Sequence, residues 1–162
     1  MGRRIFAALL VVVCLLAGCG NNPLYPEGKN IACKDLALTI PGDFVDLSGE
    51  SYAQDADFMF GRKTLIFMGL SQAKADFSDM TLAQYTDRVI QNNALSCSAM
   101  ALGDGYLFSY EKSLENTPYT YTIATFAADS NFWILQFYGP TADLQENQPE
   151  IDIILESIRK NP

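Results

Sequence analysis

Nineteen Asp and Glu residues, four cysteines and no histidine set what this 162-residue chain can do chemically. Without histidine there is no Ser-His or Cys-His nucleophile, no imidazole acid or base and no histidine-containing zinc site. The cysteines stand at Cys14, Cys19, Cys33 and Cys97, so no C-x-x-C pair supports redox catalysis. Carboxylates are left. Asp55 and Asp57 flank Ala56, and Asp76 and Asp79 precede a helix-like stretch, so either pair offers oxygen ligands to calcium. Neither follows the spacing of an EF-hand loop, and both pairs are expected to be solvated loop acids or partners of a helix dipole, with no metal and no cofactor. Glycoside hydrolysis needs two carboxylates held at a set separation, and nothing in the spacing fixes two acids in that way. Gly103-Asp104-Gly105 lacks the Gly-Lys-Ser/Thr ending and the G-x-G-x-x-G spacing of phosphate loops, and reads as a hairpin turn. Aromatic residues crowd the same region: Tyr106, Phe108, Tyr110, Tyr119, Tyr121 and Tyr138. Cross-strand pairing accounts for such crowding, while a solvent-facing subset, Tyr106, Tyr110, Tyr119 and Tyr121, would make a platform for a sugar, a peptide or a partner.

The elements that must position these groups follow from apolar periodicity. Leu36 to Ile40 alternates as a first strand, is broken by the turn at Pro41-Gly42, and resumes at Phe44 to Leu47. Ser48 to Asp57 reads as loop. Phe58 to Phe60 and Thr64 to Met68 form two strands around a tight turn. The period then changes: Thr81 and Gln84 have capping-box spacing, and Leu82, Tyr85, Val89 and Ile90 share one helical face, giving a helix over Thr81 to Asn93. Four strands come next, Cys97 to Leu102, Tyr106 to Leu114, Tyr119 to Ala127 and Phe132 to Tyr138, separated by short turns as in an antiparallel meander. The last of these is apolar on both faces and belongs at the centre of a sheet covered on two sides. Asn147 and Glu150 stand at capping spacing with Pro149 in the first turn, Ile151, Ile154, Leu155 and Ile158 repeat at helical spacing, and Arg159 and Lys160 sit where a helix dipole favours cations. The expectation is a single α+β domain, an antiparallel meander covered by two amphipathic helices.

The first nineteen residues decide where that domain works. Arg3 and Arg4 precede an uncharged apolar run, Ile5 to Leu16, followed at once by Leu16-Ala17-Gly18-Cys19. About twelve apolar residues fall short of the ~20 needed to span a bilayer, and the charged start fits a secretory signal. This stretch resembles the bacterial lipoprotein signal with its lipobox. The resemblance implies cleavage of residues 1–18, a diacylglyceryl group on Cys19, and lipid anchoring to the extracytoplasmic side of a bacterial membrane. Gly20 to Lys34, with Pro23, Pro26 and Gly28, then reads as a tether, so that 19–34 links the lipid to a domain over 35–162. Loss of Arg3 and Arg4 takes the formal charge from -8 to -10, which repels nucleic acid and anionic head groups, so the lipid is what holds the protein to the membrane. With Cys14 removed and Cys19 acylated, only Cys33 and Cys97 remain, too few for a four-cysteine zinc site. In an oxidising compartment they are expected to form a disulfide closing about 65 residues, contributing roughly 4 kcal/mol; the alternative is two separate buried thiols.

An early strand ending in Ile40-Pro41-Gly42-Asp43-Phe44, a hairpin, a mid-chain amphipathic helix, a meander with an aromatic strand and the closing Ile151 to Ile158 helix together resemble the PsbP-like fold. The resemblance covers Asp35 to Lys160 and carries no functional motif. It implies a binding or assembly subunit rather than an enzyme. The sequence therefore points to a non-enzymatic envelope lipoprotein that binds an envelope protein or a small ligand, with a carboxylate-based hydrolase of cell-wall or glycan material as the alternative.

Overall fold

Alternating apolar residues in the second half of the chain build a seven-stranded antiparallel sheet, and the ends of the domain fold back across one face of it. The computed structural model describes residues 27–77 and 79–160; the signal, the lipobox and Cys19 lie outside them. In chain order the elements are β1 (Lys29–Cys33), β2 (Leu36–Ile40), β3 (Val45–Asp46), β4 (Phe58–Arg62), β5 (Leu65–Ala73), α1 (Leu82–Asn92), β6 (Met100–Leu102), β7 (Gly105–Leu114), β8 (Thr117–Ala127), β9 (Asn131–Pro140), α2 (Thr141–Glu146), α3 (Gln148–Glu156) and β10 (Arg159–Lys160). The large sheet runs β3-β4-β5-β9-β8-β7-β6, and a small sheet runs β1-β2-β10. This is the α+β class expected, with β6 to β9 as the meander and β9 at the centre of the large sheet.

Strand periodicity divides the sheet into two faces. On the front, Trp133, Leu135 and Phe137 of β9 are fully buried with Phe67, Leu65 and Ala124 against Leu36, Leu38 and Ile40 of β2 and Ile151, Ile154 and Leu155 of α3. Phe67 and Phe137 stack at 4.4 Å and 9°, and the Phe58 ring lies over the backbone of Gly69, where a Cβ would approach it to 2.3 Å. Only glycine leaves room for that ring. On the back, α1 covers Phe108 and Ile123 with Ile90, and Thr86 is hydrogen-bonded to Thr125 at 2.7 Å. The capping box expected for α1 is present in both directions: Thr81 Oγ1 accepts from the Gln84 N–H, and Gln84 Oε1 accepts from the Thr81 N–H.

Four expectations change. Lys29–Cys33, read as the end of a tether, forms β1, because Ile31 and Cys33 pack on the front core while β2 supplies an open edge. The strand expected from Cys97 begins only at Met100, since Cys97 and Ala99 turn instead toward Ile90 and Phe108. A short α2 precedes α3; its one buried apolar side chain, Leu144, is too little to register as periodicity. Asn147, expected to cap α3, instead donates through its side chain to the Asp143 carbonyl at 2.6 Å, because α2 ends directly beneath it.

Candidate functional site

Two sheets that cover one another unequally leave a gap. The small sheet and α3 lie over β9 and its neighbours, while Leu102 of β6 and Leu107 of β7 extend beyond that cover and are only half-buried. The result is a cleft of about 560 Å³ between α3 and β10 on one side and β6 to β8 on the other. Its walls are apolar: Leu36, Leu102, Leu107, Phe126, Leu155 and Ile158. Its mouth is charged, with Asp104 in the β6–β7 turn, Asp152 and Glu156 on the exposed side of α3, and Arg159 and Lys160 of β10. Gly103, at φ +53°, makes the turn that carries Asp104. A volume of this size lies in the range of small-molecule sites.

Of the two cations at the mouth, Arg159 is hydrogen-bonded and Lys160 stays exposed. Arg159 donates to the carbonyls of Glu156 and Ile158, both at 2.6 Å, which satisfies groups at the α3 carboxyl end as its position in the sequence suggested. Lys160 lies 3.9 Å from Asp129.

The turn between β1 and β2 ties the small sheet to the large one. Lys34, at φ +51°, and Asp35 form its two central residues. Lys34 pairs with Asp57 at 2.5 Å and donates to Ser71 Oγ at 2.6 Å. Asp35 accepts from the Ser130 and Asn131 N–H groups, from Asn131 Nδ2 and from Trp133 Nε1, at 2.7 to 3.0 Å. Burial pushes the Asp35 carboxyl upward, but these donors, Trp133 foremost, outweigh it and hold its pKa at about 2. At the other end Arg62 joins Asp43 at 2.8 Å to Glu150 of α3 at 2.6 Å.

The residues singled out in the sequence are not brought to one place. Tyr106, Tyr110, Tyr119 and Tyr121 do share the back face, away from the cleft, as the β7–β8 register requires. Tyr121 stacks between Tyr110, at 4.8 Å and 1°, and Tyr138, at 5.4 Å and 13°. Its two ring faces are therefore covered by neighbours, which leaves an edge for solvent rather than a face for a sugar ring. Burial raises all three hydroxyl pKa values. Tyr106 and Tyr119 stand on the same face outside this ladder.

Cys33 and Cys97 are free thiols. The expected bridge is absent because Cys33 packs into the front core and Cys97 into the back one, with the large sheet between them. Burial, with Asp57 nearby, pushes the Cys33 thiol upward, away from the reactive thiolate.

The acid pairs separate in the same way. Asp55 is exposed, whereas Asp57, expected to be solvated, is half-buried, paired with Lys34 and bonded to the Ser71 N–H at 2.6 Å. Burial opposes its ionisation, but Lys34 and Ser71 prevail and lower its pKa. Asp57→Asn is therefore expected to lower stability by about 1–2 kcal/mol, and Asp55→Asn to leave it within about 0.5 kcal/mol. Thermal melts of the two single variants check this; equal melting temperatures would refute the role given to Asp57. Among the described residues no three Cys, Asp or Glu side chains gather where they could hold a metal ion.

No protein-family model and no curated protein sequence matches the chain. Solved structures do match in fold. One from Bacteroides thetaiotaomicron superposes with a TM-score of 0.58 at 13% identity over 84% of this chain, which spans only 49% of that protein. LpqN, involved in cell envelope biogenesis of Mycobacterium tuberculosis, matches with a TM-score of 0.51 at 13% identity, over 84% of this chain and 91% of LpqN. The Ran-binding protein Mog1p of Saccharomyces cerevisiae matches with a TM-score of 0.55 at 9% identity, over 82% of this chain and 94% of its own. Cyanobacterial PsbP is also similar, at a TM-score of 0.47, too low to add weight. At these identities the likeness is one of fold. Among the described residues no helix is long and apolar enough to cross a membrane.

Proposed function

We propose that this chain is a lipid-anchored binding module of the bacterial cell envelope, working without catalysis, and that the cleft between α3 and the β6 to β8 edge is its binding site. The observation that carries the reading is the cleft itself. It joins apolar walls to a charged mouth, in a volume of the size that takes a small molecule. The envelope role of LpqN, a protein of the same fold, supports the setting, and the lipobox at Cys19 supports the anchor.

The rival reading is hydrolysis by paired carboxylates. It finds Asp152 and Glu156 four residues apart on the cleft wall, both open to bulk water rather than enclosed with a substrate. Turnover of a chromogenic glycoside that is abolished by Glu156→Gln would favour it.

Two measurements test the proposal. An apolar reporter dye should bind the mature chain, and Leu102→Trp, which places a larger ring inside the cleft, should weaken that binding at unchanged melting temperature. Labelling cells with an alkyne fatty acid should mark the wild type and not Cys19→Ala. Label persisting in the variant would sink the anchoring claim, and dye binding indifferent to Leu102→Trp would sink the cleft.

A further inference from the structure

The mouth of the cleft is electrostatically lopsided. Five ionisable side chains surround it: Asp104, Asp152, Glu156, Arg159 and Lys160. Arg159 is bonded to two carbonyls at the α3 end, Lys160 leans toward Asp129, and Asp152 accepts from Gln148 Nε2 at 2.8 Å. The carboxylates of Asp104 and Glu156 have no hydrogen-bond or ion-pair partner among the described residues. They come from opposite walls, one from the β6–β7 turn and one from the last turn of α3. The cleft thus offers an apolar body with two uncommitted negative charges at its opening, in a chain whose formal charge is already -8.

Resting on the reading of the cleft as the binding site, we infer that its ligand is a single-chain amphiphile with a cationic head: the chain lies along Leu102, Leu107, Phe126 and Leu155, and the head between Asp104 and Glu156. Size favours a small ligand over a docked helix: a helix is about 10–12 Å across, whereas a volume of about 560 Å³ lies in the range of small-molecule sites. Charge favours a cation, because three carboxylates face two basic side chains at the mouth and an anionic head would meet the unpaired Asp104 and Glu156.

The test uses the chain from position 19 onward with Cys19→Ala, which keeps both sheets and all three helices. Dodecyltrimethylammonium, dodecyl sulfate and dodecyl maltoside, which share a tail, are titrated calorimetrically below their micelle-forming concentrations. The ammonium compound should bind about tenfold tighter than the sulfate at low salt, with the uncharged maltoside between them. Asp104→Asn with Glu156→Gln should collapse that ratio to about threefold or less while maltoside binding persists. Asp79→Asn with Asp87→Asn removes the same charge beside α1, on the other side of the sheet, and should leave the ratio intact. Equal or tighter binding of the sulfate overturns the inference, as does an equal fall in both double variants, which would mean bulk charge alone. A basic, apolar peptide that binds where the ammonium compound does not would assign the cleft to a polypeptide and also overturn it. If none of the three detergents binds, or if Leu102→Trp affects none of them, the cleft itself is not the site and the proposed function falls first.

Discussion

Replacing Asp35 by Ala is expected to lower stability by about 2–4 kcal/mol, one of the largest effects available to a polar substitution in this chain. Trp133 is fully buried, and its indole N–H has the Asp35 carboxylate at 2.9 Å as acceptor. Removing the carboxylate strands that donor and takes the acceptor from the half-buried Asn131 N–H, while water can reach the exposed Ser130 N–H; a buried donor without a partner costs about 1–3 kcal/mol. Asp35→Asn should cost less, since its side-chain carbonyl can still accept from Trp133. Chemical denaturation of the three proteins gives the ranking directly. Asp35→Ala indistinguishable from wild type would mean that the turn between β1 and β2 does not hold the two sheets together.

The same carboxylate makes stability depend on pH in a defined sense. Its folded pKa, about 2, lies below the ordinary value of 3.8, so the folded state binds its proton less readily than the unfolded chain does. The stabilisation is therefore complete above the unfolded pKa and is lost as pH falls from about 5 toward 2. Discounted for partial exposure, the amount at stake is about 1–2 kcal/mol. In Asp35→Asn the acid limb of the stability curve should flatten by that much between pH 5 and 2, leaving the slope due to the other carboxylates held below their ordinary value, Asp57 and Asp46.

Why some of this was legible in the sequence and some was not comes down to the range of the interactions. The helix at α1 announces itself because its signals are local: the capping pair Thr81 and Gln84 is three residues apart, and its apolar face repeats every turn. Strand β9 is equally plain, since a segment apolar on both faces can only be central. Asp35 gave no signal at all. Its partners lie more than ninety residues away and only the packing of β2 beside β9 brings them together. Cys33 and Cys97 failed for the same reason, because which face of the sheet a cysteine meets depends on how β1 folds back. The cleft was hidden too. Leu102, Leu107 and Phe126 read as ordinary strand residues, and their partial exposure arises because α3 and the small sheet end before covering them. Aromatic crowding in β7 and β8 was visible too, but which tyrosines share a face and how they stack, which decides what they can offer, depends on register.

Ile154→Ala is expected to cost about 2–5 kcal/mol, at or near the total stability of a marginal domain, and to lower the melting temperature by roughly 3 °C for each kcal/mol. Ile154 is fully buried in the same front core as Ile40, Phe44 and Ile151. Leu155, one residue on, is 7% exposed and lines the cleft. Its truncation enlarges an existing opening rather than creating a closed void, so Leu155→Ala should cost less than Ile154→Ala, by about 1 kcal/mol or more, while changing the dye binding that Ile154→Ala leaves alone. This crossed pattern separates packing from binding on a single helix. If Leu155→Ala proved the more destabilising of the two, or if Ile154→Ala were tolerated, α3 would be rotated about its axis relative to the arrangement described, and the wall assigned to the cleft would be a different set of residues.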